Sequence, residues 1–369
     1  MRLTNVSGLP ANWTMGFQRD GREMLIVIVK GAYSIPQLGQ EAALLPEQVP
    51  LIQDDQFSGE PGLSAPLYET DYAHRKPACD VLLVGSAYAP GGRPAVRTPV
   101  ALKVGSIVKH FMVVGPRVWN KGLVTISSTD PKPFETMPIT YDCAFGGTDR
   151  TLADQGQSDA YLPNPVGRGY WRNTDRIDGQ PLPSTEAVDQ PVRKPDGQYV
   201  PQAFSPIGRN WPPRAKFVGT YDQDWLENTA PFWPDDFDER YFQAAPPDQT
   251  MPYPEGGEEV ALLNLTPDGH RAFRLPSRRM PMTFIPYKGR DVNRDASLDT
   301  IVLEPDRERF TLTWRAALPL GRSVFDVKET VVGEMSAAWY RARKYPGKEY
   351  YPSLRALAKA RQAAAKRPN

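Results

Sequence analysis

Sulfur, imidazole and long apolar runs are all scarce in this chain of 369 residues. Its two cysteines, Cys79 and Cys143, form no CxxC or Cys/His pair at zinc spacing, so neither a disulfide framework nor a zinc module is expected. Buried, reduced thiols are the plain reading. The three histidines, His74, His110 and His270, have no carboxylate or nucleophile at a telling spacing. His74 adjoins Arg75 and Lys76, which disfavour its protonated form. There is no H-E-x-x-H or P-loop, and Gly85-Ser86 is no nucleophile elbow, because Ala89 stands in the fifth position. No run approaches the roughly 18 apolar residues of a membrane helix. The one early apolar run, Met24 to Val29, lies inside a strand pattern, so no signal peptide is expected and the protein is expected to be cytoplasmic. A net charge of +1 argues against a surface built for nucleic acid or anionic lipid. No internal repeat is visible.

Proline, glycine and aromatic residues are plentiful instead. The 39 prolines are roughly double average usage and, with 29 glycines, imply many turns and long ordered loops. Residues 204–249 concentrate this character: three Trp, five Phe, two Tyr, seven Pro and six Asp. So many prolines exclude long helices and central strands. The ring area, by contrast, is enough to hold an irregular backbone in place.

Periodicity places strands around this stretch. Asp20-Gly21 is a hairpin cue, and residues 24–29 read as a strand buried on both faces. Residues 36–77 read as a long surface loop, and 79–86 as a core strand. Residues 99–104 and 107–114 flank Gly105-Ser106 as a tight hairpin. Pairing Val104 with Ile107 puts Val100, Leu102 and Phe111 on their face, with Lys109 the exception, and Lys103, Val108 and His110 on the other. Residues 115–203 are mostly irregular. Pro234 followed by two acids reads as a helix start, with Phe237 and Tyr241 on one face; residues 221–228 read as another short helix. Further strands are expected at 259–265, 270–275, 301–304, 309–315 and 324–332. In residues 310–315, Phe310, Leu312 and Trp314 alternate with Thr311, Thr313 and Arg315. The expected fold is mainly β: antiparallel sheets packed as a sandwich or two sandwich-like lobes over residues 1–345, with long ordered loops and a few short helices. A lobe boundary is looked for near residue 150. Residues 346–369 form a basic, Ala-rich tail, helical or disordered.

Three features carry possible chemistry. The acids of residues 222–238 are read as helix caps and a solvated face, or as paired carboxylates of a glycosidase-like site involving Asp222 and Asp238. Gly91-Gly92 and Gly146-Gly147 suit tight turns or anion-binding nests. Trp211, Tyr221, Trp225, Trp233, Phe237 and Tyr241 are read as core rings or as partner contacts, where aromatic residues are enriched.

Several irregular motifs also carry a resemblance. These are residues 79–94 (CDVLLVGSAYAPGGRP), 137–147 (MPITYDCAFGG), 164–170 (NPVGRGY), 204–214 (FSPIGRNWPPR), 219–222 (GTYD), 235–238 (DDFD) and 241–249 (YFQAAPPDQ). Together the sequence resembles a bacterial family of unknown-function domains associated with type VI secretion, over roughly residues 20–320. The resemblance implies a non-enzymatic adaptor or chaperone. Such a protein binds a secreted effector, often through its PAAR-linked or N-terminal segment, and helps load it onto the VgrG spike. It supplies no catalytic residue; no metal or cofactor is expected, and the charge and apolar pattern leave no nucleic-acid or membrane partner expected. The alternative is a β-sandwich hydrolase acting on carbohydrate or cell wall through the Asp222–Asp238 carboxylates.

Overall fold

The computed structural model describes residues 1–345, 347, 351 and 353–365. The apolar run at its start continues as the 12-residue strand Glu23–Ser34, buried on both faces from Met24 to Tyr33. This strand belongs to a six-stranded sheet ordered Thr250–Met251, Cys79–Leu83, Ser297–Glu304, Arg309–Pro319, Glu23–Ser34, Ala11–Phe17. Within this sheet, among the described residues, only Cys79–Leu83 and Ser297–Glu304 pair in parallel. A five-stranded antiparallel sheet follows the order Thr185–Glu186, Ile107–Val114, Arg97–Val104, Glu259–Leu263, His270–Arg274. Its central hairpin has the expected register, with Val104 opposite Ile107.

Because side chains alternate across a strand, each sheet can turn one row of large apolar residues inward. Leu25, Val27, Val29, Leu312 and Trp314 from the first sheet join Val100, Leu102 and Phe111 from the second in one buried cluster. The chain is therefore mainly β, with antiparallel sheets around a shared core and a few short helices. A four-stranded sheet adds Met282, Phe284 and Val332 to that core. Strands before residue 115 pair with strands after residue 250 in both larger sheets, so no boundary near 150 divides them. Residues 115–203 carry a smaller cluster of their own, including Trp119, Phe145 and Tyr161. In the tail, Leu354–Ala365 is helical; residues 346, 348–350, 352 and 366–369 of the expected tail lie outside the described residues.

The outer face of the six-stranded sheet differs from expectation. The alternation in residues 310–315 is real, yet Thr311, Thr313 and Arg315 are buried as well. They sit in a layer of buried ion pairs. Lys30 Nζ donates to Asp71 Oδ2 at 2.8 Å, and Lys76 Nζ donates to Asp80 Oδ2 at 2.7 Å and Thr300 Oγ1 at 2.9 Å. Arg315 pairs with Asp299 and also donates Nη2 to the Asp71 carbonyl at 2.7 Å. A buried charge needs a partner, and Asp71 and Lys76 come from the stretch read as a surface loop. Residues 36–77 are thus corrected: Ala65, Asp71, Ala73 and Lys76 are buried, and the second half of the segment is a cover for the sheet.

At the end of strand Ser297–Glu304, the buried Glu304 accepts from Arg309 Nε at 2.7 Å, Arg307 Nη1 at 2.8 Å and Tyr68 Oη at 2.6 Å. Burial alone would raise its pKa, but these hydrogen bonds and the two arginine charges outweigh it and hold the carboxyl below the usual range. A depressed folded-state pKa gives stability that is complete above the unfolded value, near pH 4.3, and is lost as pH falls through the folded value. Glu304→Gln is therefore expected to flatten the acid limb of a stability–pH curve below about pH 4.3, measured by urea unfolding. An acid limb identical to wild type would refute this role.

Candidate partner-binding site

Residues 204–249 leave the core and return to it. Phe204, fully buried, packs on Phe111 with ring centroids 4.6 Å apart. At the far end Gln249 Nε2 donates to the Phe204 carbonyl at 2.9 Å and to Val81 O at 2.8 Å, so the two ends are tied together at strand Cys79–Leu83. Gln249 Oε1 accepts from Lys109 Nζ at 2.7 Å, which explains the one lysine on the apolar face of the hairpin. Asp80, fully buried, receives Gln243 Nε2 at 2.6 Å, Ala244 N at 2.8 Å and Ala245 N at 3.2 Å beside its ion pair with Lys76. Arg214, also buried, holds the Tyr241 carbonyl at 2.8 Å and pairs with Glu69.

The acids of this stretch are engaged in shaping its backbone. Asp222 caps the helix Gln223–Asn228 through Trp225 N at 2.9 Å, as expected for residues 221–228. The helix expected from Pro234 does not form. Residues 234–237 make a turn, and a 3-10 helix follows at Glu239–Phe242, capped by Asp238. The reason is Asp236, which turns back to accept from Thr220 N at 2.8 Å and Thr220 Oγ1 at 2.7 Å instead of serving a helix start. That hydrogen bonding holds Asp236 below the usual carboxylate range, and the Arg240 side chain does the same for Asp238. A general acid needs the opposite shift. The glycine pairs are also committed: Gly147 N donates to Asn164 O at 2.9 Å, and Gly92 N to Ala89 O at 3.3 Å.

Rings from this stretch gather against residues 73–74. Trp233 stacks on Phe237 at 4.3 Å, Phe237 meets Phe242 at 5.6 Å, and His74 lies on Phe242 at 5.0 Å with its edge toward Trp233 at 5.6 Å. This wall bounds a cavity of about 600 Å³. Met24, Ala317 and Arg315 of the sheet line its floor, and Phe17, Arg19 and Arg294 stand among its outer residues. A Cβ on Gly16 would lie 2.1 Å from His74 Cδ2, so only glycine lets the imidazole seat against strand Ala11–Phe17. Burial, reinforced by the Arg315 charge, lowers the His74 pKa and keeps the ring neutral. Asp299 moves the other way: burial raises it against the pull of Arg315 and Lys76. Gly16→Val is expected to displace His74 and raise its pKa toward about 6.5, read by NMR titration of the imidazole signals; an unchanged titration would show that the ring is not held there.

Of the six aromatic residues read from the sequence, the structure brings Trp233, Phe237 and Tyr241 into one cluster. Tyr221, just before the cap, and Trp225 of the capped helix form a separate edge-to-face pair, 4.6 Å between centroids. Trp211 packs instead against Tyr141 in an interior cluster, at 4 % exposure. Trp211 and Phe237 (2 % exposed) therefore support the surface from beneath and offer a partner no area of their own. Sequence reasoning did not bring His74, Phe242, Phe17 and Arg315 to this site, and it ascribed the disfavoured His74 charge to Arg75 and Lys76, where burial and Arg315 cause it. For Arg315 the available signal was a charge on a strand flanked by core strands; for Phe17 and His74, distant in sequence, there was none.

A mainly antiparallel β protein with an aromatic-walled cavity beside its larger sheet is the class that fold and site define. The chain belongs to the bacterial family described as "Uncharacterized protein conserved in bacteria (DUF2169)", whose model matches residues 20–315. No curated protein and no solved structure matches it. Among the described residues no helix is long and apolar enough to cross a membrane.

Proposed function

We propose that this protein is a type VI secretion adaptor, which holds a segment of a secreted effector and helps load it onto the VgrG spike. The observation that carries the reading is the cavity with its ring wall and exposed apolar edge. Phe17 and Phe232 pair edge to face at 6.1 Å, yet stay 45 % and 40 % exposed. Rigid rings give contact area at little entropy cost; Phe17 is held on strand Ala11–Phe17, and Phe232 on a loop tied to the sheet at Asp80 and Gln249. The engagement of Asp222, Asp236 and Asp238 in backbone caps supports a holding role over the hydrolase alternative. The sequence resemblance to type VI secretion proteins supplies the partner class: an effector, often PAAR-linked.

The test is co-purification with a candidate PAAR-linked effector. The double variant Phe17→Glu, Phe232→Glu alters only exposed rings, so the fold should survive while effector capture falls at least about ten-fold. Undiminished capture by the variant, or effector loading that is unchanged in a deletion strain, would overturn the reading.

A further inference from the structure

We propose that the cavity beside Trp233 is a recognition pocket for a carboxylate attached to a flat apolar group, such as an acidic residue next to an aromatic one in a partner polypeptide. The inference deepens the adaptor reading and rests on it for the source of the ligand. Its first support is size: about 600 Å³ falls in the range of pockets that enclose a ligand and exceeds what one aliphatic side chain fills. The second is shape chemistry. One side is walled by Trp233, backed by the buried rings of Phe237 and Phe242, and suits a flat apolar group stacked or edge-on.

Charge gives the third support. Five cationic residues line the cavity (Arg19, Arg75, Lys76, Arg294 and Arg315) against three carboxylates (Glu239, Asp295 and Asp299). Asp299 is taken by Arg315, Asp295 by Arg279, Glu239 lies 3.8 Å from Arg75, and Lys76 is neutralised by Asp80, so the surplus rests on Arg19 and Arg294. Arg294 is exposed and makes no ion pair among the described residues. Two buried N–H donors of the lining, Arg315 Nε and Gln18 Nε2, have no acceptor among the described residues. Donors left without acceptors in a low-dielectric wall add to its positive potential, and a carboxylate in the cavity meets that potential and the surplus positive charge. A cationic group would instead be repelled by the Arg315 charge, which adds to burial in lowering the His74 pKa.

His74 reports on the pocket directly, because only three histidines contribute imidazole signals. The full chain is titrated with Ac-Phe-Asp-NH2, its neutral twin Ac-Phe-Asn-NH2, and phenylacetate, and the imidazole resonances are followed by NMR. The acidic dipeptide is expected to shift the His74 signals saturably and to raise the His74 pKa, since a bound anion favours the imidazolium. The neutral twin should bind at least about ten-fold more weakly. Arg294→Ala should weaken the acidic probe by a similar factor and leave the thermal midpoint in place, because its side chain is exposed. Tighter binding of the dipeptide than of phenylacetate assigns the site to a partner segment, and the reverse order to a free aromatic acid. Equal binding of the two dipeptides, or no His74 response to any probe, would overturn the proposal. None of these probes involves the effector. A silent cavity therefore leaves capture at the Phe17–Phe232 edge standing, and a responsive cavity with no effector capture sinks the adaptor reading alone.

Discussion

Asp80→Ala is expected to cost about 3–5 kcal/mol of folding free energy, the range for removing one partner of a buried ion pair. Asp80 is fully buried and is the acceptor for four donors: Lys76 Nζ, Gln243 Nε2, Ala244 N and Ala245 N. Its loss strands a buried ammonium and three further N–H groups, and unfastens residues 243–245 from the sheet. Lys76→Met added to Asp80→Ala should recover part of the loss, because the uncompensated charge is gone. Urea unfolding measures both. A penalty under about 1 kcal/mol for Asp80→Ala would mean that the tether is dispensable. Hydrogen exchange at residues 237–249 should accelerate in the single variant even at temperatures where the sheets persist, since the ring wall hangs from that anchor.

Trp233→Ala is expected to weaken effector binding by about 2 kcal/mol or more, some thirty-fold, the effect of truncating an aromatic anchor at a contact. Trp233 is half-buried, stacks on Phe237, and reaches the Phe17 carbonyl through Nε1 at 3.3 Å, so it joins the wall to the exposed edge. Truncation also uncovers Phe237, so some stability is lost as well. Trp233→Phe keeps a stacking ring and separates the two effects. It should restore stability and recover most of the binding. Titration calorimetry with the purified effector decides the matter: an affinity unchanged in Trp233→Ala would remove the wall from the interface.

The strands were legible because burial on a sheet writes itself into the chain with a period of two. The pairing of Val104 with Ile107, the alternation Phe310, Leu312, Trp314, and the doubly buried run Met24 to Val29 all follow from local pattern. Helix Gln223–Asn228 was legible from its cap, Asp222. The helix expected at Pro234 was not found because Asp236 is used 16 positions away by Thr220, a choice no local signal contains. The cavity was half legible: the ring-rich stretch drew attention to Trp233 and Phe237, while His74, Phe17 and Arg315 came from other parts of the chain.

By itself the sequence determined the β class, the register of the Val104–Ile107 hairpin and the segment whose rings would have to be ordered. Those are consequences of local periodicity, proline geometry and side-chain size. Only the tertiary structure decided that the polar face of the six-stranded sheet is buried, because that depends on Asp71, Lys76 and Asp80 being carried to Lys30, Thr300 and Ala244 across gaps of 41 to 224 residues. Ion pairs and cavities are properties of which surfaces meet. A linear pattern records which residues must leave water, and the fold alone selects the companions they find there.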